Sequence, residues 1–156
     1  MRVIGRDYIQ QYAAQQDYGA VQVFRDQELM RVETLFNELG GKPTMDRVHV
    51  IFYDKLLAHP WLRGFFVGVR KFHLEGQQTD FMTGLLGGPK IYGGRAPKSA
   101  HVHLFVTEEV FMLRHKILED SLMEAEIPAD LKERWLRYDM KMKRALVKES
   151  VSECEG

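Results

Sequence analysis

The alternation of apolar and polar positions along the chain has a helical period throughout and no strand period. From Asp26 to Leu39, the residues Leu29, Val32, Leu35, Phe36 and Leu39 recur at steps of three and four, the spacing of one buried helix face. Gly40-Gly41 predicts the end of that helix, because glycine adopts the left-handed conformation of a helix C-terminus at little cost. Pro43-Thr44 opens a second helix to about His59, with Val48, Ile51, Phe52, Lys55 and Leu56 along one side. Pro60 suits the first position of a short helical turn through Phe66. Lys71 to Leu86 forms the next helix, stopped by Gly87-Gly88-Pro89, and Lys90 to Pro97 reads as an ordered loop. A brief helix over Lys98 to Leu104 precedes two long ones, Thr107 to Ala125 and Pro128 to about Lys148. In the last, Leu131, Trp135, Tyr138 and Met142 repeat with helical spacing, while Asp7 to Asp17 forms a weaker, short helix. The expected fold is all-α.

Two positions depart from the apolar pattern. In the helix from Lys71 the inward stripe reads Leu74, Gln78, Phe81, Leu85, which places an amide inside. A buried amide without partners costs about 1–3 kcal/mol. Either Gln78 is a core glutamine paired with Tyr53 or a backbone carbonyl, or Tyr53 and Gln78 both face a cavity that holds a polar ligand. Spacing leaves both readings open. The second position is His101, on a short helix after a glycine-rich loop, with Leu104 and Phe105 close behind. Periodicity does not separate a ligand there from a satisfied structural histidine. His59 and His73 are expected at the surface, and no close histidine pair has the spacing of a zinc site.

Composition narrows the setting. The length of 156 residues suits one domain with a real core. Lys plus Arg equals Asp plus Glu at 22 each, so charge favours neither nucleic acid nor an anionic membrane as a partner. No apolar run approaches the roughly 20 residues of a bilayer span. The first residues turn polar too soon for a signal peptide, so the cytoplasm is the expected location. Cys154, the one cysteine, lies in a polar tail and reads as a surface thiol.

The motifs carry more when taken in order. Leu35-Phe36-Asn37-Glu38-Leu39-Gly40-Gly41 is followed by Phe52-Tyr53, Leu57-Ala58-His59-Pro60, Phe65-Phe66, Gln78 and Phe81. Then come Leu86-Gly87-Gly88-Pro89, Tyr92-Gly93-Gly94-Arg95 and Ala100-His101. In this order and spacing the chain resembles the truncated haemoglobins, most like their first group, over about residues 33 to 147. The resemblance implies a globin-like, two-over-two helical sandwich around haem b. A globin domain over 28–148 would then follow an N-terminal helical extension, 1–27, and precede a polar tail, 149–156.

The resemblance also implies roles. His101 would be the proximal ligand of the iron, its tautomer fixed by a backbone carbonyl. Phe66 would wedge against the porphyrin, and Leu74 and Phe81 would line it. Tyr53 and Gln78 would be the distal hydrogen-bond donors, and Tyr92, Arg95 and Lys98 would meet the propionates. Cys-x-x-Cys-His is absent, so the haem would be held non-covalently.

The implied function is reversible binding of oxygen or another diatomic gas such as nitric oxide or carbon monoxide. The alternative is a haem enzyme of the nitric oxide dioxygenase or peroxidase type at the same site, for which a reductase partner would be needed. Two residues stand outside the family pattern. Arg114 lies thirteen residues after His101, where the family places an apolar or aromatic residue facing haem. Either the helix is shifted there or Arg114 reaches outward. His49 sits one turn before Tyr53 and is a conceivable sixth ligand. His103 and His115 carry no family role.

Overall fold

The structure, a computed structural model, describes residues 34–154, and every regular element among them is helical. The expected helix from Asp7 to Asp17, the extension 1–27, and Leu29 and Val32 lie outside the described residues. The elements are α1 (Leu35–Glu38), α2 (Lys42–Ala58), a 3-10 turn (Leu62–Phe66), α3 (Lys71–Leu85), α4 (Pro97–Ala100), α5 (Glu108–Glu124), α6 (Ala129–Lys141) and α7 (Lys143–Leu146). A second 3-10 turn, Val151–Glu153, follows.

Local chemistry accounts for the boundaries. Gly40 and Gly41 take φ of +100° and +75°, which turns the chain between α1 and α2 where a side chain would be strained. The Oγ1 of Thr107 accepts the Val110 N–H at 3.2 Å, capping α5, and Glu108 and Glu109 sit at the positive end of its dipole. The last expected helix is not continuous. It breaks at Met142, resumes as α7, and ends where Val147 turns extended at φ −76°, ψ 135°, so Lys148 lies beyond it.

Helix α2 packs on both α3 and α5, and α5 packs on α6, which gives the two-over-two arrangement of α2/α3 and α5/α6. Met45, Val48, Phe52 and Leu56 of α2, Phe111 and Leu122 of α5, and Trp135 of α6 are almost wholly buried where these helices meet. Each such side chain removed from water contributes about 1.5–3 kcal/mol. The expected face of α3 is corrected by about one residue. Its buried side is Thr79, Met82 and Thr83, whereas Leu74, Gln78, Phe81 and Leu85 are only half-buried. Two small threonines let α3 approach α2 closely, so the threonine side makes the helix–helix contact.

The glycine pair after α3 serves packing as well as turning. A Cβ on Gly88 would stand 2.7–2.9 Å from the Phe36 ring, closer than real contacts allow. Phe36 also donates its N–H to the Leu86 carbonyl at 2.9 Å, which ties α1 to the end of α3. Among the described residues, no helix is long and apolar enough to cross a membrane.

Candidate haem site

Tyr53 lies in the second half of α2, buried between neighbours. Its ring meets Phe52 edge-on at 5.2 Å and Phe66 edge-on at 6.0 Å. Two of the sequence-predicted residues, Tyr53 and Phe66, are therefore in contact. The Tyr53 hydroxyl forms no hydrogen bond with any described residue, and burial pushes its pKa up to about 12, so it remains protonated. Gln78 also forms none, and the pairing of Gln78 with Tyr53 or a backbone carbonyl is not observed. Leu74, Gln78 and Phe81 share one side of α3.

Phe81 meets the Tyr92 ring at 5.3 Å. The Tyr92 hydroxyl donates to the Arg95 carbonyl at 2.6 Å, so its proton is spent within its own loop. Gly94 makes room for that loop, since a Cβ there would lie 2.3 Å from the Tyr92 hydroxyl oxygen and 2.6 Å from Oε1 of Gln77. Arg95 and Lys98 are exposed and pair with no carboxylate among the described residues.

His101 caps the C-terminus of α4. Its Nδ1–H donates to the Pro97 carbonyl at 2.7 Å, which leaves the Nε2 lone pair as the free donor of the ring. Burial lowers its pKa; the Pro97 bond opposes this, and the charges of Arg114, Lys148 and Arg95 add to it. The imidazole is thus neutral, the form that binds a metal.

The other histidines are committed elsewhere. His49 is buried, with Nδ1 2.8 Å from the Thr79 hydroxyl and its ring edge-on to Trp135 at 5.8 Å. Burial pushes its pKa down to about 3, so it too is neutral. His59 is half-buried, its Nδ1 accepting the N–H groups of Trp61 and Leu62 at the start of the 3-10 turn. His73 and His103 are exposed.

Arg114 does not reach outward. It turns inward and grips Asp139 with both ends of its guanidinium, at 3.0 and 2.6 Å, while Nδ1 of His115 lies 2.7 Å from Oδ2 of Asp139. The guanidinium carbon stands 5.5 and 5.4 Å from the ring centres of Phe52 and Phe111. Burial alone would raise the Asp139 carboxyl; the Arg114 charge and the bonds from His115 and Arg114 hold it well below the usual carboxylate range. Sequence reasoning missed this cluster. The signal was present, because Leu131, Trp135 and Asp139 repeat every fourth residue, and Arg114 stands four residues after buried Val110.

The donor set is a single free imidazole nitrogen. No group of three or more His, Cys, Asp or Glu side chains converges among the described residues. Such a site suits a metal that brings its own equatorial ligands, as a porphyrin does. The profile of the bacterial-like globin family matches residues 34–148. The chain belongs to the bacterial-like globins. It is 33% identical over 97 residues to a group 1 truncated hemoglobin, GlbN, of Mycolicibacterium paratuberculosis, covering 62% of this chain and 71% of that one. It is 41% identical over 69 residues to the group 1 truncated hemoglobin of Tetrahymena pyriformis, a stretch that spans 44% of this chain and 57% of the relative.

Solved structures agree. The crystal structure of the Tetrahymena pyriformis truncated hemoglobin in its Fe(III) form superposes with a TM-score of 0.70 at 27% identity, covering 75% of this chain and all of that one. The 2/2 hemoglobin of Synechococcus sp. PCC 7002 superposes with a TM-score of 0.65 at 27% identity, covering 78% and 94%. This globin is thus a haem-binding truncated globin of the first group, and haem b is its cofactor.

Proposed function

We propose that this globin reversibly binds a diatomic gas, oxygen foremost, with His101 as the axial ligand and Tyr53 and Gln78 as the donors that hold the gas. When bound, haem would supply the iron that takes the gas. Nε2 of His101 is the nitrogen available to it, since Nδ1–H is spent on Pro97. Phe66, packed on Tyr53, and Leu74 and Phe81 on α3 supply apolar walls that keep water out. Arg95 and Lys98, exposed and without carboxylate partners among the described residues, are matched in charge to two propionates.

The observation that carries this reading is Tyr53 itself, a buried residue whose hydroxyl is protonated and has no hydrogen-bond partner among the described residues. A hydrogen bond donated by the Tyr53 hydroxyl to a gas ligand that accepts charge would be worth about 1.5–3 kcal/mol and would slow release about ten- to a hundredfold.

Absorption spectra of ferric, ferrous and carbon monoxide forms test the axial assignment directly. The His101→Ala protein is expected to retain little haem, or to show an altered spectrum. An unaltered spectrum at full haem content would overturn it.

A further inference from the structure

His101 closes a helix of only four residues, Pro97–Ala100, and the chain from 101 to 106 continues in turns rather than helix. Within that stretch the Leu104 N–H donates to the His101 carbonyl at 3.0 Å and the Val106 N–H to the Leu104 carbonyl at 3.1 Å. Three carbonyls of the same stretch converge on one side chain from the far end of the domain. Nζ of Lys148 donates to the carbonyl oxygen of His101 at 2.5 Å, to that of Val102 at 3.0 Å and to that of Leu104. The backbone N–H of Lys148 donates to the Val106 carbonyl at 2.8 Å. An ammonium has three N–H donors, and all three are spent on this turn.

No carboxylate pairs with Lys148 among the described residues, so its charge is not neutralised. Helix α7 packs on α4, and the extended Val147 that follows carries Lys148 to the turn.

We propose that Lys148 is a positioning residue for the axial histidine: it locks the backbone that aims the His101 imidazole and keeps a positive charge beside it. The proposal rests on His101 as the haem ligand. Two restraints then orient the imidazole. The Pro97 carbonyl sets the rotation of the ring, and Lys148 sets the backbone from which the ring projects. A fixed positive charge near the iron also disfavours the ferric state relative to the ferrous one.

The test uses the full-length haem-loaded protein with Lys148→Met and Lys148→Arg. Loss of an outer partner of a metal ligand weakens metal binding about ten- to a hundredfold. Haem transfer from Lys148→Met to an excess of apomyoglobin is therefore expected to run about tenfold faster. Its ferric/ferrous potential should fall, and its iron–histidine stretching band in ferrous resonance Raman spectra should shift or broaden. Amide exchange should quicken at Leu104 and Val106 but not in α2. Lys148→Arg, which keeps the charge, should restore the potential and most of the haem retention.

Lys148→Met with unchanged band, potential and haem transfer overturns the proposal while leaving His101 as ligand. A wild-type protein with no iron–histidine band overturns both. A fall in potential that Lys148→Arg does not restore overturns the role of the charge.

Discussion

Tyr53 stands on a helix of 17 residues whose buried face packs on two others, whereas His101 ends a helix of four. The two sides of the proposed haem site are accordingly held by different means. On the side proposed as distal, apolar side chains such as Val48, Phe52 and Leu56 fix α2, and the polar groups of Tyr53 and Gln78 have no hydrogen-bond partner among the described residues. On the side proposed as proximal, α4 buries no residue of its own, and hydrogen bonds to the Pro97 carbonyl and from Lys148 take the place of packing. Arg114 lies between these regimes. Its charge reaches both Tyr53 and His101, and Asp139 neutralises it at hydrogen-bond distance. The difference suggests a rule for this fold: where packing supplies rigidity, polar groups remain available to the ligand, and where it does not, they are spent on the chain.

That contrast is open to test, beginning with the largest expected effect. Asp139→Asn removes the partner of a buried guanidinium and should lower stability by about 3–5 kcal/mol in urea denaturation. A loss below about 1 kcal/mol would show that the buried pair does not support the fold. Tyr53→Phe removes a hydroxyl that no described residue uses, so unfolding of the ligand-free protein should change by less than about 1 kcal/mol. Oxygen release, followed by stopped flow, should nevertheless quicken about ten- to a hundredfold. Equal release rates in the two proteins would remove Tyr53 from the distal role.

The smallest effect concerns His49. Its folded-state pKa of about 3 lies below the ordinary 6.5, so between these values the unfolded chain binds the extra proton. Stability from this group is complete above pH 6.5 and is lost as pH falls toward 3, with a slope no steeper than about 1.4 kcal/mol per pH unit. The Asp139 carboxyl acts in a lower window, below its ordinary 3.8. His49→Gln keeps a partner for Thr79 and should flatten the slope between pH 6 and 4. An unchanged slope there would assign the acid sensitivity to another group.

Much of the helix layout was legible before the fold. Proline and glycine placed α2, α3 and α5 within a residue or two, because helix ends are set by local backbone chemistry. Gln78 stood out as a polar residue on an apolar stripe, and the free Nε2 of His101 followed from the expected carbonyl contact, found at Pro97. The α3 face was misread because periodicity counts apolar residues, while the close crossing with α2 selects the small side chains Thr79 and Thr83. Arg114 was misplaced for a related reason. A charge on an inward stripe reads as an error until its partner, 25 residues later, is known.

Sequence alone therefore determined where the long helices α2, α3 and α5 start and stop and which residues were candidates for a site, since caps, turns and periodicity act within a few residues. Tertiary structure alone decided which charges are buried in pairs and which carbonyls Lys148 collects, across 44 to 47 residues of chain. Those interactions depend on distance in space, and no local pattern along the chain encodes it.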